Sequence, residues 1–149
     1  MSLKLSLYNQ CRDILNSRLE VLQISITDIQ KSLETETKSS AGDKHETGRA
    51  MLQLEREKAG QQLADIKKQF ELLNKINPEI EKNTVALGSI VFTSKSNYFL
   101  GVSVGELKVG TDKFYAISMV TPMARVLVSK SVGETATFRK EQITITKIL

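Results

Sequence analysis

Apolar residues in the first half of the chain recur with a helical period. Tyr8, Cys11, Leu15, Leu19, Leu22, Ile26, Ile29 and Leu33 follow one another in steps of three and four, which places all of them on one stripe of an α-helix. A doubled step of four within this series reads as a stutter in a coiled coil. Leu52, Arg56, Ala59, Leu63, Ile66, Phe70 and Leu73 form a second stripe, broken only by Arg56. Between the two lies Ser39-Ser40-Ala41-Gly42, small and polar, which is turn composition. Two helices joined by a short turn run antiparallel, so residues that face each other have numbers with a constant sum. Leu33 with Leu52, Ile26 with Ala59, Leu22 with Leu63, Leu19 with Ile66 and Leu15 with Phe70 all add to 85, which sets the fold-back between Gly42 and Asp43. Sliding one helix by a heptad also matches apolar to apolar, but it moves the midpoint about 3.5 residues away from this glycine. Each arm covers roughly 30 residues, or about 45 Å, so the pattern predicts a rod whose far end faces solvent. Asn77-Pro78 ends the second helix, because the residue before proline disfavours the helical region and proline cannot continue it.

Beyond Glu81 the period shortens to that of strands. Thr84 to Thr93, Tyr98 to Val104, Glu106 to Val109, Lys113 to Val120, Ala136 to Phe138 and Gln142 to Ile148 read as β-rich runs separated by Gly, Asn and Asp. Thr121 to Lys130, with Pro122 in its first turn, predicts one short helix. The expected fold class is therefore α+β: a long antiparallel coiled-coil hairpin over residues 1–78, then a small, mostly antiparallel sheet domain with one short helix over 79–149. A second part of this size is near the lower limit for an independent core.

Composition narrows the function classes. The 149 residues are 40% hydrophobic and 26% charged, with no Trp, as expected of a soluble, foldable chain. No run approaches the roughly 18 apolar residues of a membrane span, and the first residues lack a signal-peptide pattern, so the expectation is a cytoplasmic protein with no membrane partner. A single cysteine, Cys11, excludes an internal disulfide and a cysteine-based zinc site. It lies on the first stripe without a histidine partner in view, which is the position of a packed thiol and not of a nucleophile. Net charge is only +4, and the 21 basic and 17 acidic residues divide as 12 and 11 over 1–78 against 9 and 6 over 79–149. That balance does not by itself support DNA binding.

The predicted turn carries the candidate chemistry. Asp43 and Glu46 are three apart, so their carboxylates can project to one side of the first turn of the second helix. Two exposed carboxylates are a partial ligand set for Mg²⁺, a hard cation that takes oxygen ligands and completes its shell with water or phosphate. The same spacing is that of a capping box, in which both side chains satisfy helix N–H groups. Both readings stand, since a carboxylate bonded to one N–H keeps lone pairs free. His45 lies between the acids as a solvated side chain or a third ligand. Lys31, Lys38, Lys44, Arg49 and Arg56 gather toward this end, either as an anionic-partner contact or as the solvated face of the coiled coil.

A long coiled coil with Gly-Asp-x-x-Glu at its turn and a small sheet domain behind it resembles the GreA/GreB family of bacterial transcript cleavage factors. Leu87-Gly88-Ser89-Ile90-Val91 looks like the family's opening strand. Ser118, followed by Thr121-Pro122-Met123-Ala124-Arg125-Val126-Leu127, is similar to its Ser-Pro-Leu-Gly-x-Ala-Leu segment, and Lys130-Ser131-Val132-Gly133-Glu134 matches its Gly-Lys-x-x-Gly-Asp turn in part. The resemblance implies an FKBP-like C-terminal domain that docks on RNA polymerase and a coiled coil that enters the polymerase secondary channel. It also implies that Asp43 and Glu46 help hold an Mg²⁺ shared with the polymerase active centre, where a water is activated to cut backtracked RNA. Lys38, Lys44, Arg49 and Arg56 would then contact polymerase or nascent RNA. The factor would bind no cofactor alone, take no small-molecule substrate, and assist another enzyme's chemistry. The chain departs from the family where Asn-Ala-Glu-Tyr is usual and Thr47-Gly48-Arg49-Ala50 stands, and where Ser129 replaces a common Gly. A non-cleaving channel modulator and a coiled-coil adaptor therefore stand as alternatives. Prolyl isomerase activity is disfavoured, because the few aromatics of so small a domain are needed as core.

Overall fold

The computed structural model describes residues 2–38 and 43–149, and for residues 37, 38 and 43–45 the backbone only. Two long helices come first, α1 over Leu3–Lys38 and α2 over Asp43–Asn74. Ser2 caps α1, its Oγ accepting from the Leu5 N–H at 3.1 Å, one of the four donors a helix start leaves unpaired. At the other end of α2 the ladder tightens, with the Lys75 and Ile76 N–H groups donating to Leu72 and Leu73 carbonyls. The helix thus stops three residues before Asn77, whose Oδ1 accepts from the Glu79 N–H across Pro78.

By packing, the chain forms two compact units: one of Met1–Ile14 with Phe70–Leu149, the other of Leu15–Gln69. In the second unit the seam holds. Leu15, Leu22, Ile26, Ala59 and Ile66 are buried, and Leu19, Ile29, Leu33, Leu52 and Leu63 are half-buried among exposed neighbours. A Cβ placed on Gly48 would lie 3.6 Å from the Glu36 carboxylate, a pair whose numbers add to 84. The antiparallel register therefore agrees with the expected one to within a residue. Arg56, the break in the stripe, is half-buried, with its guanidinium 3.3 Å from where Gly60 would carry a Cβ. The missing side chain one turn on makes room for the arginine stem along the helix.

In the first unit six strands follow: β1 Ile90–Thr93, β2 Asn97–Gly101, β3 Gly105–Val109, β4 Asp112–Ser118, β5 Thr135–Phe138 and β6 Glu141–Ile148, with α3 (Pro122–Leu127) between β4 and β5. They form one sheet in the order β3-β4-β2-β1-β6-β5. All neighbours are antiparallel except β2 and β4, which pair in parallel from Tyr98–Tyr115 to Gly101–Ser118. The α+β class and the single short helix agree with the sequence pattern. Three predicted strands were too long; the Lys113 to Val120 run overruns β4, which ends at Ser118, and two others miss by more. Thr84 makes only an isolated bridge to Ser131, and the chain turns at Gly88 (φ +88°) before β1 begins. β2 ends at Gly101, not Val104, where the chain peels away toward β3. The β5–β6 turn is Arg139-Lys140 with no Gly, Asn or Asp, both residues taking positive φ as a two-residue hairpin turn requires.

α3 covers one face of the sheet. Ala124 and Leu127 pack with Val85, Val91, Leu100, Ala136, Ile143 and Ile145, all buried. Phe99 alternates with Leu100 and so points to the opposite face, the side on which Ile76 packs against Gly101. Ile76 is lodged tightly there: a Cβ on Gly101 would be 2.8 Å from its Cδ1, and one on Gly88 2.9 Å from its Cγ2. The start of α1 is tied in as well. Gln10 Nε2 donates to the Lys108 carbonyl at 2.9 Å, and Arg12 donates to Asn74 Oδ1 at 2.9 Å and to the Tyr8 hydroxyl.

Candidate functional site

α2 begins at Asp43, so Asp43 and Glu46 both belong to its first turn, where the N-terminal end of the macrodipole favours anionic side chains. Glu46 is exposed, as is Arg49 one turn on. The predicted turn itself, Ser39 to Gly42, and the side chains of Lys38, Asp43, Lys44 and His45 lie outside the described residues. Among the described residues no group of three or more His, Cys, Asp or Glu side chains is gathered as for a metal ion. Glu46 is nonetheless a hard oxygen donor of the type Mg²⁺ takes, and its exposure leaves it available to a site completed by other molecules.

The residues singled out in the second half serve the fold. The Ser118 N–H donates to Ser103 Oγ, and the Ser118 carbonyl accepts from the Thr121 hydroxyl at 2.8 Å. Thr121 in turn caps α3 by accepting from the Ala124 N–H, with Pro122 at the first helical position. Met123 is half-buried against the core beneath α3. Lys130 pairs through its backbone, its carbonyl accepting from the Val85 N–H at 2.9 Å. Gly133 turns at φ +90° and donates to the Ile145 carbonyl at 2.8 Å. This segment closes α3 back onto β6.

Among the described residues three ionisable groups are displaced by burial: Cys11, Lys4 and Tyr98, whose hydroxyl pKa is raised. Cys11 is fully buried, which pushes its thiol up to about 12 and makes it inert packing, as its place on the stripe predicts. Lys4 is the one that the sequence pattern did not reveal. It is 5% exposed, and its Nζ donates to the Ile80 carbonyl at 2.7 Å. Desolvation lowers its pKa, partly countered by Glu81 and reinforced by Lys82. A lysine two positions past the cap of an amphipathic helix reads as solvated, and nothing in its sequence neighbours signals otherwise.

The six aromatics of residues 79–149 are largely consumed by packing. Phe99 and Phe114 are fully buried, Phe92 meets Phe114 edge-on at 5.7 Å, and Phe138 lies under the Arg139 guanidinium.

Fold and site together define a class: a helical hairpin with acids in the first turn of its second arm, followed by a small α+β sheet structure. No protein-family model matches the chain, and no curated protein matches it. Among solved structures it is similar to one titled "Structure of the transcription factor Gfh1", at 17% identity and a TM-score of 0.36, covering 95% of this chain and 92% of that chain. Among the described residues no helix is long and apolar enough to cross a membrane.

Proposed function

We propose that the chain is a cytoplasmic accessory factor of bacterial RNA polymerase, acting through the secondary channel on backtracked transcripts. The observation that carries the reading is the coincidence of Asp43 and Glu46 with the first turn of α2, the second arm of a hairpin in the expected antiparallel register. The ordered resemblance of the later segments to the GreA/GreB family supports it. On this reading Asp43 and Glu46 would hold an Mg²⁺ shared with the polymerase, which would supply Lewis-acid activation of water for phosphodiester hydrolysis. The chain's part is to carry these carboxylates to the polymerase active centre, with Lys38, Lys44, Arg49 and Arg56 facing polymerase or RNA phosphates. It is not itself an enzyme.

The test is transcript cleavage in a stalled, backtracked elongation complex. Added protein is expected to shorten the RNA from its 3′ end, and Asp43→Ala or Glu46→Ala to abolish shortening while polymerase binding persists. Full cleavage by the double alanine variant would overturn the reading. A second reading, a non-cleaving modulator, is favoured by Thr47-Gly48-Arg49-Ala50 after the acids. It predicts competition for the polymerase with the stalled RNA left intact.

A further inference from the structure

The first turn of α1 holds a lysine where helix electrostatics favour acids. Lys4 is the second residue of α1, at the positive end of the macrodipole, and no acidic residue stands in that turn to balance it. It is 5% exposed, and its ammonium makes a single hydrogen bond, to the Ile80 carbonyl, so two of its three N–H donors are left over. Lys4 lines a cavity of about 130 Å³ with Lys75, Asn77 and Lys82, between walls of Ile76 and Ile80. All six belong to the unit of Met1–Ile14 with Phe70–Leu149. Lys75 and Lys82 are exposed, so the cavity runs from two solvated ammonium groups at its mouth to a buried one.

The lining selects the ligand by charge. It contains no carboxylate, and among the described residues none of the three lysines has an ion-pair partner. Glu81, whose charge acts on Lys4, is exposed and outside the lining. Asn77 Oδ1 accepts from the Glu79 N–H, which leaves the NH₂ group as the uncommitted end of that side chain. Three cations and an amide donor repel a metal ion and match an oxyanion, whose acceptors they meet with charge-assisted hydrogen bonds. Size narrows the choice. The cavity, about 130 Å³, is the share of roughly four waters and lies well below the roughly 300 Å³ at which pockets for drug-sized molecules begin. A phosphate group, with a charge of about −1.5 to −2 and three strong acceptor oxygens, balances three cations better than a singly charged carboxylate. We infer that this cavity is a phosphate-binding site, with Lys4 at its floor and Lys75 and Lys82 at its mouth, for inorganic phosphate or the phosphoryl end of a small ester. Its occupant ties the first turn of α1 to the segment that leads from α2 into the sheet. The site does not depend on the polymerase reading.

Isothermal titration of the full chain with sodium phosphate at constant ionic strength tests it. One phosphate per chain is expected, with saturation below about 10 mM. Lys75→Ala and Lys82→Ala, both at exposed positions, should each weaken binding on the order of tenfold, and Lys4→Met, which keeps the buried stem, should abolish it. Lys67→Ala removes the same charge from an exposed position on α2 and should bind as the wild type does. If circular dichroism shows Lys4→Met unfolded, the two mouth variants decide. Tighter binding of glycerol phosphate than of inorganic phosphate supports an ester as the ligand, and weaker binding supports the free ion. Absence of saturable uptake overturns the inference. So does a folded Lys4→Met that still binds, or a loss in Lys67→Ala equal to that in Lys75→Ala and Lys82→Ala, the mark of unspecific charge attraction.

Discussion

Gly101→Ala is the sharpest probe of how the end of α2 is held. Gly101 lies buried in β2 with an ordinary extended backbone, so alanine is conformationally acceptable and by propensity alone would gain about 0.5–1 kcal/mol. Its Cβ, however, would sit 2.8 Å from Ile76 Cδ1, where carbon atoms prefer about 3.5–4.0 Å. Roughly 1 Å must be found, and Ile76 cannot retreat freely, because its Cγ2 already fills the place where Gly88 lacks a side chain. Overpacking of this kind destabilises by about 1–3 kcal/mol. Ile76→Val removes Cδ1 alone and costs about 0.5–1.5 kcal/mol by itself. In the Ile76→Val background Gly101→Ala should therefore cost almost nothing, leaving a coupling of about 1–3 kcal/mol between the two positions. The readout is urea unfolding followed by tyrosine fluorescence. There is no Trp, and all three tyrosines, Tyr8, Tyr98 and Tyr115, belong to the unit that contains Ile76. Equal cost of Gly101→Ala in both backgrounds would refute the reasoning.

Other changes follow from the same packing. Ser129 holds φ +68° directly after α3, so Ser129→Gly should stabilise the same unit by roughly 0.5–1 kcal/mol in the same unfolding assay. Cys11 should resist a thiol reagent in the native protein at pH 8 and react fully once urea unfolds it. Its thiol is raised from 9.0 to about 12, so the stability it contributes is complete below pH 9 and lost as pH rises toward 12. Cys11→Ala should accordingly flatten the decline of stability measured over that interval.

What the sequence reveals tracks how many residues share a signal. Fifteen stripe positions predicted for the hairpin are all buried or half-buried, because a long amphipathic period repeats its message every turn. Six strands and α3 are legible for the same reason, through alternation and the Thr121-Pro122 start. Single residues that act alone are not. Ile76 falls two residues past the end of α2, where the helical period no longer applies, and its role depends on two distant glycines. Arg139-Lys140 makes a tight turn without turn-forming residues, so local chemistry gives no warning of it. The parallel pairing of β2 with β4 depends on β3 looping out and returning, a relation that no local pattern encodes. At the acids, spacing alone gives the first turn of α2, while the choice between cap and metal ligand belongs to partners that the chain does not contain.

The division of the chain into Met1–Ile14 with Phe70–Leu149 on one side and Leu15–Gln69 on the other bears on how the protein is made. In connectivity Leu15–Gln69 is an insertion, with both of its ends continuing into the same compact unit. The first fourteen residues leave the ribosome long before the strands they accompany exist, so Leu7 and Cys11 stay without their final neighbours until synthesis is nearly complete. Early formation of the hairpin shortens that wait in conformational terms, because closing the two arms on each other brings the severed pieces of the unit together and removes most of the loop-closure entropy between them. The long arms therefore also serve as a folding splint for the unit that brackets them.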